Sequence, residues 1–438
     1  MEYGEALNKI HSLQRFGTKP GLERIRKLLA LLGNPQERLK FIHVAGTNGK
    51  GSVCALTASV LSRANYKTGL YISPYISDFC ERMQINGRMI PHTDLAALVE
   101  HTFPFVERMA QNEEEITEFE FITALAMQWF AQQNCDVVVL EVGLGGRLDA
   151  TNVIPTPLVS VILSISLDHT AVLGDTVEKI AYEKCGIIKE NGITVCYSDQ
   201  PEGAMEVIRT VASERQNQLV IADTTGICER SSGLTGTKLD YRGLPLRLPF
   251  LGEHQVKNAA AALAVVEVLR GQGWVIPDRA VASGFDHAVN PARLEVFSTS
   301  PVVLLDGAHN PGGTAALAAA LKKYLNGKRV VAVMGMLADK DVDSALRNLS
   351  GLFSHVFTLA PNNPRAMSAT QLAQLWNSIA LNSRKAHSED FSAQPCAYVE
   401  DAVERALALA GKDGAVVICG SLYLAGEVRP YLVQKFQG

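Results

Sequence analysis

The eight cysteines, Cys54, Cys80, Cys135, Cys185, Cys196, Cys228, Cys396 and Cys419, include no CxxC pair. Several of these residues lie in apolar or helical runs such as "VVICG". Buried reduced thiols are expected. No apolar run reaches the ~18–20 residues of a membrane span; the longest lies around "NAAAALAVVEVL". There is no basic stripe either: 41 basic against 45 acidic side chains leave a net charge of −4, which argues against a nucleic-acid partner. The segment "MEYGEALNKIHSLQRF" carries Glu2 and Glu5 where a signal peptide would need an apolar core. The expectation is a cytoplasmic protein, monomeric, with neither nucleic acid nor membrane as partner.

With 438 residues, 47% hydrophobic and 20% charged, the chain has enough material for two or three domains. Strand-like runs rich in Val and Ile alternate with helical patterns: "FIHVAG", "KTGLYIS", "CDVVVLEVG" and "LVSVILSIS", then "PVVLLDGAHN", "RVVAVMGM", "HVFTLAP" and "GAVVICGS". Near-continuous apolar strands, each followed by a helix, predict parallel sheets covered on both faces, an α/β fold. Between about Ala222 and Leu251 the pattern changes to short antiparallel strands, "GLTGTKLDYRGLPLRLPF", followed by two helical stretches. At "AVNPARLEVF" the Asn-Pro pair breaks the second helix, because Pro disfavours a helical preceding residue. The expected boundary is near Asn290, giving domains 1–290 and 291–438.

Chemistry concentrates at the strand ends. In "HVAGTNGKGS" a strand runs into a glycine-rich turn and a helix begins near Lys50. Turn N–H groups and the positive helix end cradle phosphate there, while Lys50 reaches the terminal phosphates. The spelling is unusual, with Gly51 standing between Lys50 and Ser52. In "VVVLEVGLGGRLDATNV", Glu141 emerges from a buried strand into a glycine turn, where ligands of open α/β sheets collect, and is a candidate Mg²⁺ ligand. The same stretch fails as a dinucleotide fingerprint, since Leu148 stands where the third glycine is required. Asp168 and His169 end another strand ahead of a helix carrying Lys184, and Asp306 and His309 in "DGAHNPGG" stand at a strand end of the second domain. Polar strand ends in both domains predict a site in the cleft between them.

The motifs "GTNGKGS", "SPYISDFCERMQING", "EFEFITA", "LEVGLGGRLDATN", "LDHTAVLG", "EKCGIIK" and "DGAHNPGG" occur in this order between about Leu22 and Tyr423. Together they resemble the folylpolyglutamate synthase and dihydrofolate synthase family, related to the Mur ligases of peptidoglycan assembly. The inserted glycine of the phosphate loop is this family's own spelling. The resemblance implies a P-loop-containing N-terminal domain with a mainly parallel sheet and a smaller Rossmann-like C-terminal domain. It implies that Gly46, Thr47, Asn48, Gly49, Lys50, Gly51 and Ser52 handle ATP phosphates, with Asn258, Arg293, Asp306 and His309 on the nucleotide. Ser52, Ser73, Glu141, His169 and, once carbamylated, Lys184 would bind Mg²⁺. Lys184 matches the lysine that such enzymes carbamylate, and with Lys50, Glu141 and His169 it completes the implied catalytic set. Phe119, Glu120 and Phe121 lie where relatives hold the pterin. One departure is Tyr75, where many relatives carry His. Implied cofactors are ATP, Mg²⁺ and a monovalent cation that the residues do not name.

The implied reaction joins L-glutamate to a folate, and to dihydropteroate where dihydrofolate synthase activity accompanies it, through an acyl phosphate. Two other readings make different predictions. A Mur-type ligase acting on a nucleotide-linked precursor would need a further N-terminal domain ahead of the phosphate loop, and a P-loop ATPase would hydrolyse ATP without a carboxylate acceptor.

Overall fold

The computed structural model describes residues 1–16, 20–382 and 391–437. Its first sheet contains β1 (Phe41–Ala45), β2 (Thr68–Tyr71), β3 (Met83–Ile85), β4 (Arg88–Met89), β5 (Val137–Glu141), β6 (Val159–Ile162), β7 (Ile193–Cys196) and β8 (Gln218–Ile221). These lie in the order β4-β3-β2-β5-β1-β6-β7-β8. Strands from β2 to β8 run parallel, and β3 and β4 form an antiparallel edge. Both β1 and β5 are buried at every position, which is why they read as unbroken apolar runs. One face is covered by the helices Lys50–Arg63, Glu253–Gly271 and Asp278–Asp286, the other by N-terminal helices and the helix Glu118–Gln132.

A three-stranded antiparallel sheet follows: β9 (Ile227–Gly233), β10 (Gly236–Tyr241) and β11 (Leu244–Leu248). The chain then passes through Asn290 into the third sheet, formed by β12 (Glu295–Thr299), β13 (Val302–Leu305), β14 (Val330–Met334), β15 (His355–Thr358), β16 (Ser392–Pro395) and β17 (Ala415–Cys419). Their order is β12-β13-β17-β14-β15-β16, parallel except for β12. Apolar clusters fill both faces of this sheet. All eight cysteines are free thiols, six of them buried. Among the described residues no helix is long and apolar enough to cross a membrane.

This topology decides where ligands can sit. The connection leaving β1 runs to β2 on one side while that leaving its neighbour β6 runs to β7 on the other, and this divergence opens a crevice at the carboxyl ends. The carboxyl end of β13 closes the far wall of that crevice.

Candidate active site

The loop Gly46–Gly49 leaves β1 and the helix Lys50–Arg63 begins directly after it. Gly49 has φ +88°, and a Cβ there would lie 2.5 Å from Asn258 Oδ1, so only glycine fits the turn. No side chain caps this helix, which leaves its first N–H groups available to an anion. Lys50 Nζ donates to Gly46 O at 3.1 Å and Thr47 O at 3.4 Å, so its charge lies over the same loop. The Ser52 hydroxyl accepts from Asn290 Nδ2 at 3.0 Å.

At the end of β5, Glu141 is buried and its Oε2 accepts the Ser73 N–H at 3.2 Å. Burial raises its pKa, with the Lys50 charge pulling the other way. The following glycine turn is held by Asp149, which accepts the N–H groups of Leu144 at 2.8 Å and Thr151 at 3.0 Å. His169 adopts a left-handed conformation with φ +50°. Beside it, Asp168 accepts from Asn310 Nδ2 at 3.0 Å and lies 3.9 Å from Lys340 Nζ. Burial alone would raise the Asp168 pKa, but the nearby His169 and Lys340 charges and the Asn310 bond hold it low. Lys184 Nζ donates to Gly46 O at 3.0 Å. Burial, and then the Lys50 charge, bring Lys184 down to about 7. A small cavity of about 30 Å³ is lined by Lys50, Asp168, His169 and Lys184 among others.

From the third sheet, Asp306 accepts the N–H groups of Leu294 and Ala308, both at 2.8 Å, and burial raises its pKa against the pull of Arg293. His309 Nδ1 stands 2.8 Å from Gly307 O, which assigns the proton to that nitrogen and leaves Nε2 as the acceptor. Burial lowers the His309 pKa to about 4, so the ring is neutral at physiological pH. A cleft of about 400 Å³ lies between these groups and the phosphate loop; its walls include Ser52, Ser73, Glu141, His169, Asn258, Arg293, Asp306 and His309.

A second cavity, about 510 Å³, adjoins the cleft and shares Ser73, Gly143 and His169 with it. Phe119 and Glu120 line it, with Tyr423 from the far side. A Cβ on Gly143 would lie 2.5 Å from Phe119 Cζ, so that ring packs directly on the turn after β5. Glu120 is engaged by Arg24 at 2.9 Å and caps its own helix through Thr117. Phe121 does not line this cavity. It is fully buried, its ring edge-on to Phe103 at 5.8 Å, because two residues beyond Phe119 a helix has turned its side chain toward the core.

Sequence reasoning overlooked Asp149, Asn290, Asn310 and Lys340. Asp149 and Asn310 had a signal: an acceptor side chain two or three residues ahead of the N–H groups it captures, with Pro311 at the first helical position. Asn290 and Lys340 had none, because only the fold carries them to the cleft.

Residues 44–266 match the Mur ligase middle domain and residues 292–422 the glutamate ligase domain of Mur ligases. The dihydrofolate synthase/folylpolyglutamate synthase of Bacillus subtilis is 37% identical, covering 98% of this chain and 99% of its own. The chain belongs to the folylpolyglutamate synthase and dihydrofolate synthase family. It is an ATP-dependent ligase of that family. Among solved structures, Mycobacterium tuberculosis folylpolyglutamate synthase complexed with ADP and AMPPCP aligns with TM-score 0.87 at 32% identity, over 98% of this chain and 99% of that one. An Escherichia coli family member in complex with DHPP and ADP aligns with TM-score 0.84 at 31% identity, over 99% and 98%.

Proposed function

We propose that the cleft joins L-glutamate to the carboxylate of a folate at the expense of ATP, with dihydropteroate as a second acceptor. The observation that carries this reading is the junction of the two cavities at Ser73, Gly143 and His169. A pterin resting on Phe119 can extend its carboxylate through that junction to a phosphate held over Lys50. The relatives' complexes with ADP and AMPPCP, and with DHPP and ADP, support this assignment.

The chemistry follows from the groups present. A carboxylate does not accept an amine directly, so its oxygen first attacks the γ-phosphorus and ADP leaves. The glutamate amine then attacks the acyl carbon, phosphate departs, and the amine's proton goes to solvent. Phosphoryl transfer needs positioning and charge neutralisation, which Lys50 and the uncapped helix end supply. The donors around the cleft fit Mg²⁺: Glu141 is a buried carboxylate beside the Ser52 hydroxyl loop, and hard cations take such oxygens along with substrate phosphates. Ser52, Ser73, Glu141 and His169 are the residues we assign to it. When bound, the ion neutralises charge on the phosphate oxygens. Lys184, brought down to about 7 by burial and so able to lose its proton near neutral pH, lies beside this site and is suited to carbamylation, which would turn an amine into an oxygen ligand. Asn258, Arg293, Asp306 and His309 serve the nucleotide.

The same reading divides the chain near Asn290 into an ATP- and folate-binding part, 1–290, and a glutamate ligase part, 291–438. It also makes the protein a cytoplasmic monomer; the free, mostly buried thiols fit a reducing compartment. The test is glutamate-dependent phosphate release with ATP and Mg²⁺ against dihydropteroate, dihydrofolate and tetrahydrofolate forms. Amide product with a reduced folate is expected; ATP turnover without a glutamylated product on any acceptor would overturn the proposal.

A further inference from the structure

Away from the cleft, Asp78, Cys80 and His92 converge so that their donor atoms all lie within 4.8 Å of one another. Asp78 opens the 3-10 turn Phe79–Arg82, and its Oδ1 accepts the Cys80 N–H at 2.8 Å. Its Oδ2 stands 3.2 Å from Nε2 of His92, the first residue of the helix His92–Gln111. Tyr3 arrives from the N-terminal helix: its hydroxyl lies 3.3 Å from Asp78 Oδ1 and 3.7 Å from Cys80 Sγ, and its ring stacks on His92 at 3.7 Å. None of these groups takes part in the ligase chemistry above.

We propose that Cys80, His92 and Asp78 form a binding site for a borderline-soft divalent cation of the Zn²⁺ type. A thiolate, an imidazole and a carboxylate are the donor set such an ion takes, whereas a hard ion would not select the sulfur. Ligands about 2.0–2.3 Å from a tetrahedral centre stand roughly 3.3–3.8 Å apart, so atoms spread over no more than 4.8 Å need only small side-chain rotations to enclose it. His92 and Asp78 have 53% and 37% of their side-chain surface exposed, which gives the ion an entry path, while Cys80 forms the buried floor. Burial holds the Cys80 thiol protonated, pushed up to about 12, and the ion releases that proton to solvent as the Cys80 sulfur binds it. Tyr3 acts as the outer support, its stacked ring fixing the imidazole plane. The bound ion ties together two segments, the turn that follows the Ser73 strand end and the helix beginning at His92, and the N-terminal helix joins them through Tyr3.

The probe is Zn²⁺ alone, added to the chelator-stripped full-length protein in excess Mg²⁺ so that the oxygen ligands of the cleft are occupied. One Zn²⁺ per chain is expected to survive gel filtration. Outer-shell partners alone are worth about 10–100-fold in metal affinity, so loss of a direct ligand in Cys80→Ser or His92→Ala is expected to weaken binding by more than about tenfold. Cys228→Ser, which alters an exposed thiol elsewhere, is expected to change nothing. Co²⁺ substituted for Zn²⁺ should give a thiolate-to-metal charge-transfer band in the unmodified protein that Cys80→Ser lacks. His92 is exposed, so His92→Ala keeps the fold by circular dichroism and remains interpretable if Cys80→Ser does not. Absence of retained Zn²⁺, or equal retention by both ligand variants, would overturn the site.

Discussion

Two strand-loop-helix units face each other across the cleft, one from each parallel sheet. In the first, β1 leads through Gly46–Gly49 into a helix with no side-chain cap. In the second, β13 leads through Asp306–Asn310 into the helix Pro311–Tyr324, where Asn310 accepts the Gly313 N–H at 2.7 Å and Pro311 has no N–H to offer. The same supersecondary form has therefore been used in two ways. One helix end is left open to an anion and carries a lysine; the other is closed by its own sequence and presents a buried carboxylate and a neutral histidine instead. A helix N-terminus becomes a phosphate site only where its donors are left unsatisfied.

The largest effects should come from the open side. Lys50→Ala and Glu141→Ala are expected to lower glutamate-dependent phosphate release by at least about 10²–10³, the range for losing one preorganised electrostatic group, with unchanged circular dichroism. Near-normal ligation in either variant would remove the distinction between the two units. Next, Lys184→Ala should leave low activity that small carboxylates partly restore. Because burial brings Lys184 to about 7 against 10.5 for a free lysine, the amine loses its charge progressively as pH rises through 7. At fixed dissolved CO₂, carbamate on Lys184 should therefore increase as pH rises through 7, read by intact-protein mass spectrometry. By the same linkage the unfolded chain binds the extra proton between those two values, so this residue adds stability as pH rises across that window. No added mass on Lys184 at any pH, with full activity in bicarbonate-free buffer, would count against the carbamate.

The closed side should respond more gently. Asp306→Ala removes an acceptor shared by Leu294 and Ala308 and should raise the KM for ATP by about tenfold or more, as expected for hydrogen bonds to a charged group worth ~1.5–3 kcal/mol. An unchanged KM with a fall in kcat alone would move Asp306 from the nucleotide to the chemical step. The smallest effect is expected for Asn310→Ala: loss of the cap should cost about 0.5–2 kcal/mol in urea unfolding. A large loss of activity at full stability would mean that its bonds to Asp168 and Asn48 matter more than its cap.

Legibility in the sequence followed burial. The eight apolar runs read as strands are β1, β2, β5, β6, β13, β14, β15 and β17, mostly interior strands that combine Val and Ile with burial on both faces. Most strands that escaped notice lie toward the sheet margins: β4 is exposed at both positions, β8 is buried nowhere, and β16 reads "SAQP"; the interior β7, buried at three of its four positions, escaped because its apolar run is short. An edge strand owes its place to a neighbour's hydrogen bonds, which leave little trace in its own side chains. The site divides in the same way. Lys50 and Glu141 were readable because strand, turn and helix signals surround them. That Phe119 faces the cavity and Phe121 the core was not readable, because a three-residue segment does not reveal which of its aromatic rings the helix turns inward.

The bond between Asn290 and the Ser52 hydroxyl ties the phosphate loop to the segment that joins the sheets. Any ligand that claims that hydroxyl must break or share the bond, and Asn290 stands where the chain crosses from the first set of sheets to the last. Occupancy of the phosphate loop is thus felt at the crossing within one side chain's reach, before any contact with Asp306 or His309 is needed. A single side chain therefore joins the phosphate loop to the linker.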